Sequence, residues 1–247
     1  DRARAVFIAR HPMVVVGMAT VAARVFHLLD PAVACTGAMA DGSRVETGAE
    51  LLTLSGATRT LLRAERVALN LVQRLCGIAT LTESFMARVR SYPVKICDTR
   101  KTTPGWRALE KYAVKMGGGT NHRIGLFDAV LIKDNHIKAA GSIEEAVRRV
   151  KGKLPAGFPL EVETRTLEEV REALSSGVNT IMLDNMSTDM MREAVALVAG
   201  RAVTEASGGI TADNAAAVAA TGVDVLSLGW LTHSVPALDV ALDVVVG

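Results

Sequence analysis

Residues 160–185 read LEVETRTLEEVREALSSGVNTIMLDN, and this stretch decides the fold class. It holds a short strand pattern rich in Val and Leu, then an amphipathic helix pattern, then a second strand pattern. Apolar strands joined by a helix are typical of parallel β-structure, because parallel strands need a long crossover connection. The stretch therefore predicts an α/β architecture.

The same alternation of strand and helix extends through the chain from Tyr92 onward. The strand patterns are VKICDT, AVLIKD, PLEVET, TIMLDN, AVTEAS and VDVLSLG, and the helical patterns are SIEEAVRRV, TLEEVREAL, TDMMREAVALV and TADNAAAVAAT. Six units are fewer than the eight of a closed barrel, so residues 91–236 are predicted to form an incomplete TIM-like α/β barrel, the catalytic domain. A Rossmann-type sheet is the alternative, but the GxGxxG motif is missing after the first strand.

The segment before the barrel has a different pattern. Residues 1–90 read as strands (AVFIAR, MVVVGM, VACTGAM, ELLTLSG) with one helix, ATVAARVFHLLD, and predict an N-terminal α/β sandwich. A long linking helix is expected from about Arg59 to Arg90, either continuous or broken near Gly77. Its apolar stripe is formed by Leu61, Ala64, Ala68, Leu71 and Leu75. The tail at residues 237–247 is expected to pack on this sandwich.

Composition excludes several function classes. The formal net charge is only +2, which gives no overall basic field for nucleic acid, so any anion site must concentrate its cations locally. No apolar stretch approaches the ~20 residues of a membrane span, which argues against a membrane partner. The three cysteines are far apart and form no CxxC pair, which favours buried thiols in a reducing cytoplasm.

Charged residues stand where nearly every barrel strand ends. These ends carry Asp98-Thr99-Arg100-Lys101, Lys133-Asp134, Glu161/Glu163, Asp184-Asn185, Glu205 and Gly229. Functional groups of parallel barrels cluster at the carboxyl ends of the strands. We therefore expect one shared pocket there, rather than a solvated rim.

The cations in this set suit a small molecule with several negative charges. Arg100 and Arg123 have planar guanidinium groups that bind carboxylates or phosphates at two points. Lys101 and Lys133 add point charges, and Lys133 is expected to bury its stem because it ends the run AVLI. His122 follows three glycines, a loop predicted to bring backbone amides close to a ligand.

Two further groups predict a phosphate site and an acidic site. Ser207-Gly208-Gly209 precedes a helix expected to open at Thr211, which predicts a phosphate cradle, and Gly229 lets a second backbone segment approach. Glu163 and Asp184 could bind ribose hydroxyls, hold Mg²⁺, or stabilise positive charge on a sugar carbon. Salt bridges to the lysines are the structural alternative for both acids.

Several motifs resemble one family over essentially the whole chain. DTRKTTPG, GGGTNHRIGL, LIKDNH, EVE, LDN and SGGIT, together with the long-helix signature ERVALNLVQRLCGIAT, look like the quinolinate phosphoribosyltransferase family. The resemblance implies a sandwich followed by an incomplete barrel. It also implies conversion of quinolinate and phosphoribosyl pyrophosphate to nicotinate mononucleotide, pyrophosphate and CO2, with Mg²⁺, in de novo NAD synthesis. A homodimer, or a hexamer built from dimers, would share its active sites between subunits.

The resemblance also implies a role for each matching residue. Arg100, His122 and Arg123 would hold the quinolinate carboxylates beside Thr99, Lys101 and Lys133, and Arg66 would come from the neighbouring subunit. Glu163 and Asp184 would serve the ribose and the Mg-pyrophosphate region, and with Lys101 and Lys133 they are the predicted catalytic residues. The 5′-phosphate would lie at Ser207, Gly208, Gly209, Ser227, Leu228 and Gly229.

Three other functions share some of these sequence features. A molybdenum-transport-linked relative shares the TRKT and HR motifs, but it lacks the lysine that corresponds to Lys133. A non-catalytic anion-binding barrel would need the same cations without turnover. A biotinyl or lipoyl carrier is suggested only by DGSRVETGAELLTLSG, whose turn has no lysine to modify.

Overall fold

The computed structural model describes residues 1–155 and 157–246. The strands are β1 (Arg2–Ala9), β2 (Met13–Val14), β3 (Ala34–Thr36), β4 (Arg44–Val45), β5 (Glu50–Ala57), β6 (Lys95–Cys97), β7 (Val130–Ile132), β8 (Leu160–Thr164), β9 (Thr180–Asp184), β10 (Val203–Ser207), β11 (Val225–Ser227) and β12 (Val240–Val246). The helices are α1 (Ala23–Leu29), α2 (Thr58–Val89), α3 (Arg107–Met116), α4 (Asp134–Ala140), α5 (Ile143–Lys151), α6 (Leu167–Ser175), α7 (Thr188–Val198), α8 (Ala215–Ala219) and α9 (Trp230–His233).

The chain divides into two compact units. The first contains residues 1–84, 102–119 and 230 onward, and the second contains residues 85–101 and 120–229. Both units are thus assembled from discontinuous stretches of the chain. Among the helices that the structure describes, none combines the length and the apolar character that crossing a bilayer requires.

The first unit is built around an antiparallel sheet of four strands in the order β12-β1-β5-β3. Phe7 and Phe26 meet edge to face in its core, with ring centroids 6.1 Å apart. Helix α2 buries Leu61, Ala64, Ala68 and Leu75 in this unit, as expected from their helical spacing, whereas Leu71 is only half-buried. The C-terminal strand β12 lies beside β1, so both ends of the chain belong to one sheet.

Helix α2 passes through Gly77 without a break. A Cβ atom at this position would lie 2.3 Å from the carbonyl oxygen of Pro236. The glycine therefore serves a close approach between the helix and the segment before β12, and it does not mark a helix end.

The second unit contains a parallel sheet of six strands in the order β6-β11-β10-β9-β8-β7. Every strand pattern predicted after Tyr92 forms one of these strands, and the four predicted helices are α5, α6, α7 and α8. The α/β class is confirmed, because the strands pair in parallel and helices connect them.

Helix α3 escaped the sequence analysis because charged residues occupy its buried face. Glu110 is fully buried and Lys111 is almost so, which hides the apolar period that normally marks a helix. Arg74 compensates the charge of Glu110 at 2.6 Å, and the amide of Thr103 donates to the same carboxylate at 3.0 Å. A buried ion pair therefore joins α2 and α3 within the first unit.

Candidate functional site

One face of the parallel sheet carries the polar groups of the candidate site. Side chains alternate along a strand, and paired residues of neighbouring parallel strands point to the same side. The register pairs Glu163 with Met182, Ser207 with Asp184, and Ser207 with Ser227. The candidate site residues on this face are Glu161, Glu163, Asp184, Glu205, Ser207 and Ser227.

Asp98 ties the end of β6 to the loop that carries the second arginine. Its carboxylate, which is fully buried, accepts hydrogen bonds from Asn121 Nδ2 at 2.6 Å and from the amide of His122 at 2.9 Å. Arg100 follows Asp98 by two residues, and Arg123 follows His122 directly. Asp98 therefore fixes the two arginine-bearing segments relative to each other.

The two arginines lie close enough to influence each other. Burial lowers the pKa of Arg123, the positive charge of Arg100 lowers it further, and the charges of Glu161 and Asp128 act in the opposite direction. The guanidinium of Arg123 also donates to the carbonyl of Ala129 at 3.1 Å. Two like charges held together in a partly buried place favour the arrival of an anion.

His122 lies between two buried carboxylates. Its Nε2 atom is 3.0 Å from Glu161 Oε2 and 3.5 Å from Glu205 Oε1. Ser227 donates from its hydroxyl to the same Oε1 of Glu205 at 2.5 Å. The other oxygen of Glu161 is buried and has no hydrogen-bond partner among the described residues. We call Arg100, His122, Arg123, Glu161 and Glu205 the arginine cluster.

The protonation state of His122 follows from two opposing observations. Burial lowers its pKa, but the hydrogen bonds and charges of Glu161 and Glu205 outweigh burial and raise the pKa to about 10. The amide of Arg123 lies 2.8 Å from Nδ1, which favours an unprotonated Nδ1. One neutral hydrogen bond contributes about 1 kcal/mol, whereas unit charges about 4 Å apart attract by about 4 kcal/mol. The imidazolium form is therefore favoured.

A second group of acids lies at the ends of β8 and β9. Arg165 bridges them, with Nη2 3.3 Å from Glu163 Oε1 and Nε 3.2 Å from Asp184 Oδ2, and it also lies 3.6 Å from Asp134. Burial raises the pKa of Glu163 and the charge of Asp184 raises it further, whereas Lys133 and Arg165 lower it. We call Glu163 and Asp184 the acidic pair. It is a place where added positive charge is favourable.

The lysines differ from the expectation in one respect. Lys133 is exposed, so its stem is not buried as the sequence suggested, because the chain turns into α4 directly after it. Its charge nevertheless reaches Glu163. His136 accepts a hydrogen bond from the amide of Lys133 at 3.0 Å and caps α4, a structural role. Lys101 is exposed, and its amide donates to Thr99 Oγ1 at 3.0 Å.

The glycine turn after β10 is tightly shaped. Gly208 has a φ of +86°, and a Cβ atom there would lie 2.4 Å from Asn185 Oδ1. The helix that was expected to open at Thr211 begins only at Ala215, because Asn214 Oδ1 takes the amide of Thr211 at 2.8 Å. A cradle at this turn must therefore use the backbone of the turn and not a helix end.

Strand β11 and the residues after it contribute fewer free polar groups than expected. The hydroxyl of Ser227 already donates to Glu205, and the amide of Leu228 donates to the carbonyl of Cys97 at 2.9 Å. The side chain of Leu228 is buried as well. Gly229 is half-buried at the end of this segment.

The three glycines before His122 pack against helices and do not approach a ligand with free amides. The amides of Gly117, Gly118 and Gly119 donate to carbonyls of α3 or its last turn. A Cβ atom at Gly117 would lie 2.3 Å from the carbonyl oxygen of Ala79. The expectation that this loop offers amides to a ligand is wrong, because they are already used.

Arg66 belongs to the first unit. It lies on the exposed face of α2, with 70% of its side chain accessible, and its guanidinium is 4.0 Å from the carboxylate of its neighbour Glu65. Leu62 and Val67 beside it are both 55% exposed. Large apolar side chains flanking an exposed arginine are unusual for a solvated helix face.

Arg165 escaped the sequence analysis, and Asn185 entered it only as the residue after Asp184. Arg165 was hidden inside the turn between a strand and a helix, where arginine is an ordinary solvated residue. Asn185, at a φ of 54°, is the side chain that shapes the turn at Gly208. The only available signal was the position of each residue directly after a strand.

Two sets of acids could be considered for a metal ion. The ligand atoms of His122, Glu161 and Glu205 lie within 4.8 Å of one another, but His122 Nε2 already binds Glu161, and Glu205 Oε1 already accepts from Ser227. The acidic pair offers half-buried carboxylate oxygens, the ligand type that Mg²⁺ prefers. The donor set and the mutual repulsion of its charges fit a hard divalent cation.

Comparison with known proteins gives consistent matches over the chain. The family model for the N-terminal domain of quinolinate phosphoribosyl transferase matches residues 1–76, and the model for the C-terminal domain matches residues 78–243. A probable nicotinate-nucleotide pyrophosphorylase [carboxylating] of Synechocystis is 46% identical over 99% of this chain and 83% of its own length. Its Bacillus subtilis counterpart is 48% identical over 89% and 76%, respectively.

A solved structure agrees with these sequence matches. The nicotinate-nucleotide pyrophosphorylase from Francisella tularensis superposes with a TM-score of 0.95 at 40% identity. The match covers 99% of this chain and 86% of that one.

Proposed function

The chain belongs to the quinolinate phosphoribosyltransferase family, and from that premise we propose how its residues carry out the family's reaction. The substrates are quinolinate and phosphoribosyl pyrophosphate, and the products are nicotinate mononucleotide, pyrophosphate and CO2. It is thus a pentosyltransferase of pyridine nucleotide and NAD biosynthesis. The observation that carries the proposal is the pair of neighbouring arginines, of which Arg123 lies near the buried acid Glu161, on a sheet face that also carries the acidic pair.

The arginine cluster is the proposed quinolinate site. A dicarboxylate brings two negative charges, and Arg100 and Arg123 can each bind one in two-point fashion. His122 supports them with a third positive charge. Thr99 and Lys101 flank Arg100 in the sequence, and the charge of Lys133 reaches Glu163. Both lysines are exposed and can move toward the substrate.

The acidic pair is the proposed site for the ribose and Mg²⁺. Bound Mg²⁺ would neutralise charge on the departing pyrophosphate. Glu163 and Asp184 would stabilise the positive character that develops at ribose C1 as pyrophosphate leaves. Lys101 and Lys133 would stabilise the negative charge on the leaving group.

The glycine turn is the proposed 5′-phosphate site. Ser207, Gly208 and Gly209 offer a hydroxyl and backbone that approaches closely because Gly208 has no side chain. Gly229 would complete the site. The hydroxyl of Ser227 and the amide of Leu228 already donate to groups within the protein, so these two residues would shape the end of the sheet.

The chemistry needs no nucleophilic side chain. The pyridine nitrogen attacks ribose C1 as pyrophosphate departs, which makes the ring a pyridinium. The C2 carboxylate then leaves as CO2, the ring accepts the electron pair at C2, and a proton takes the vacated position. Positioning and electrostatics supply most of the rate, since both reactants are charged and must be oriented.

We also propose a homodimer, or a hexamer built from three dimers, in which Arg66 of the partner subunit completes the quinolinate site. The exposed apolar pair beside Arg66 supports burial of this helix face in an assembly. We propose a cytoplasmic location, which fits three cysteines that are all free thiols.

One assay tests the reaction. Purified protein is given quinolinate labelled in the C2 carboxylate, phosphoribosyl pyrophosphate and Mg²⁺, and released CO2, nicotinate mononucleotide and pyrophosphate are measured. Equal amounts of all three are expected, with none when phosphoribosyl pyrophosphate is omitted. Quinolinate binding without turnover would instead support the non-catalytic anion-binding barrel.

A further inference from the structure

We propose that Glu205 and Glu161 are positioning residues for quinolinate, which hold the His122 imidazolium beside Arg123 and so keep the arginines in place before substrate arrives. The inference rests on the proposed function and names groups to which that function assigns no role. Neither acid needs to touch the substrate.

Three strands contribute to this arrangement. Glu161 lies on β8, Glu205 on β10 and Ser227 on β11, and their side chains share one face of the sheet. The hydroxyl of Ser227 fixes Glu205 Oε1, the atom that lies 3.5 Å from His122. Both acids are at least nine-tenths buried, so their carboxylates cannot exchange freely with water. The sheet therefore holds the imidazole from two sides.

The charges around His122 explain why two acids are present. The charged groups that act on the ring are Glu161 and Glu205 from the sheet, whereas Asp98 and Arg123 meet His122 through backbone amides. Without these acids, a buried imidazole would lose its proton. Glu161 acts on both His122 and Arg123, because its charge also favours the charged form of Arg123.

The first test compares Michaelis constants. Glu205→Gln and Glu161→Gln, which preserve shape and remove charge, are expected to raise KM for quinolinate about tenfold, the scale of one lost charge-assisted contact. KM for phosphoribosyl pyrophosphate should stay within about twofold of wild type. Glu193→Gln, at an exposed position on α7, is the matched control and should change neither constant. Equal rises in both constants would indicate general damage and overturn the proposal.

A double-mutant cycle separates positioning from a direct effect. In a His122→Gln background, adding Glu205→Gln should change quinolinate KM by less than about twofold, because the group that it holds is already absent. Additive effects of the two substitutions would show that Glu205 acts independently of His122, and the inference would be wrong.

The last test requires no turnover, so it separates this inference from the proposed function. Nitrogen-15 NMR of the histidine rings should show His122 as imidazolium in the wild type at about pH 8, and as neutral imidazole in Glu205→Gln. A neutral ring in the wild type, or an unchanged ring in the variant, contradicts the proposal even if quinolinate is turned over. If both glutamine variants fail to fold, the acids are structural and the proposal fails too.

Discussion

The arginine cluster and the acidic pair both place two acids beside a cation, but they differ in how exposed that cation is. In the arginine cluster, the acids are buried and their cation, His122, is 14% exposed. In the acidic pair, the side chains of the acids are similarly shielded, at 10% and 15% exposed, but their cation, Arg165, is 52% exposed. Buried charge pairs are costly to break, whereas exposed pairs are screened and exchange readily. The first region is thus built to keep its geometry, and the second is built to exchange its counter-ion.

That difference fits the role that we propose for each region. A dicarboxylate binds best to cations that are already oriented, because less entropy is lost on binding. A metal–pyrophosphate complex bound at the proposed second site would enter and leave in every cycle, and an exposed arginine would occupy the acids between cycles. Four experiments test the difference between the two regions.

The largest effect is expected from the arginine cluster. Arg123→Ala or Arg100→Ala should weaken quinolinate binding by about 100-fold or more, since a buried charge-assisted pair is lost (on the order of 3 kcal/mol). Titration calorimetry measures the affinity, and circular dichroism checks the fold. Arg171→Ala, on the exposed face of α6, is the control. Normal quinolinate affinity in both variants would refute the assignment of this cluster.

The next effect concerns the helix face that carries Arg66. Arg66→Ala and Arg100→Ala proteins should each be nearly inactive alone. After mixing and subunit exchange, about one quarter of wild-type activity should return, because mixed dimers regain one intact site out of two. No recovery at any mixing ratio would count against shared sites.

A smaller effect is expected at the glycine turn next to the acidic pair. Gly208→Ala forces an alanine to a φ of +86° and against Asn185, so about tenfold weaker binding of phosphoribosyl pyrophosphate is expected, with 1–3 kcal/mol lost in stability at most (about the cost of one strained residue). Gly200→Ala is the control, since it has a φ of +72° but nothing within 4 Å. Equal losses of phosphoribosyl pyrophosphate affinity in both variants would mean that backbone strain, and not the contact with Asn185, weakens binding.

The smallest effect is expected at Arg165. Arg165→Gln should tighten Mn²⁺ binding to the free protein by about two- to fivefold, because the ion no longer competes with a guanidinium whose exposed contacts contribute little. Electron paramagnetic resonance measures free Mn²⁺. Arg192→Gln is matched, since Arg192 has the same 52% exposure and an ion pair with Asp189. Weaker Mn²⁺ binding in Arg165→Gln would show that the arginine supports the site.

The pattern of the sequence was a reliable guide to the parallel sheet and a poor guide to α3. Strands β6–β11 follow local apolar runs, so their positions can be predicted from neighbouring residues alone. Helix α3 cannot, because Glu110 lies on its buried face and becomes acceptable there only through Arg74, a residue 36 positions away. The same limit applies to the glycines before His122, whose partners lie in α2 and α3.

The fold class, the family and the residue types at the strand ends could be read from local periodicity and motifs alone. The partners of each charge, and how exposed those partners are, became clear only in the folded chain. Glu161 and Glu163 stand two residues apart on one strand, yet one is buried against His122 and the other is bridged by an exposed arginine. Glu161 meets its counter-ion His122 from a position 39 residues away in the chain, and no local pattern records that pairing.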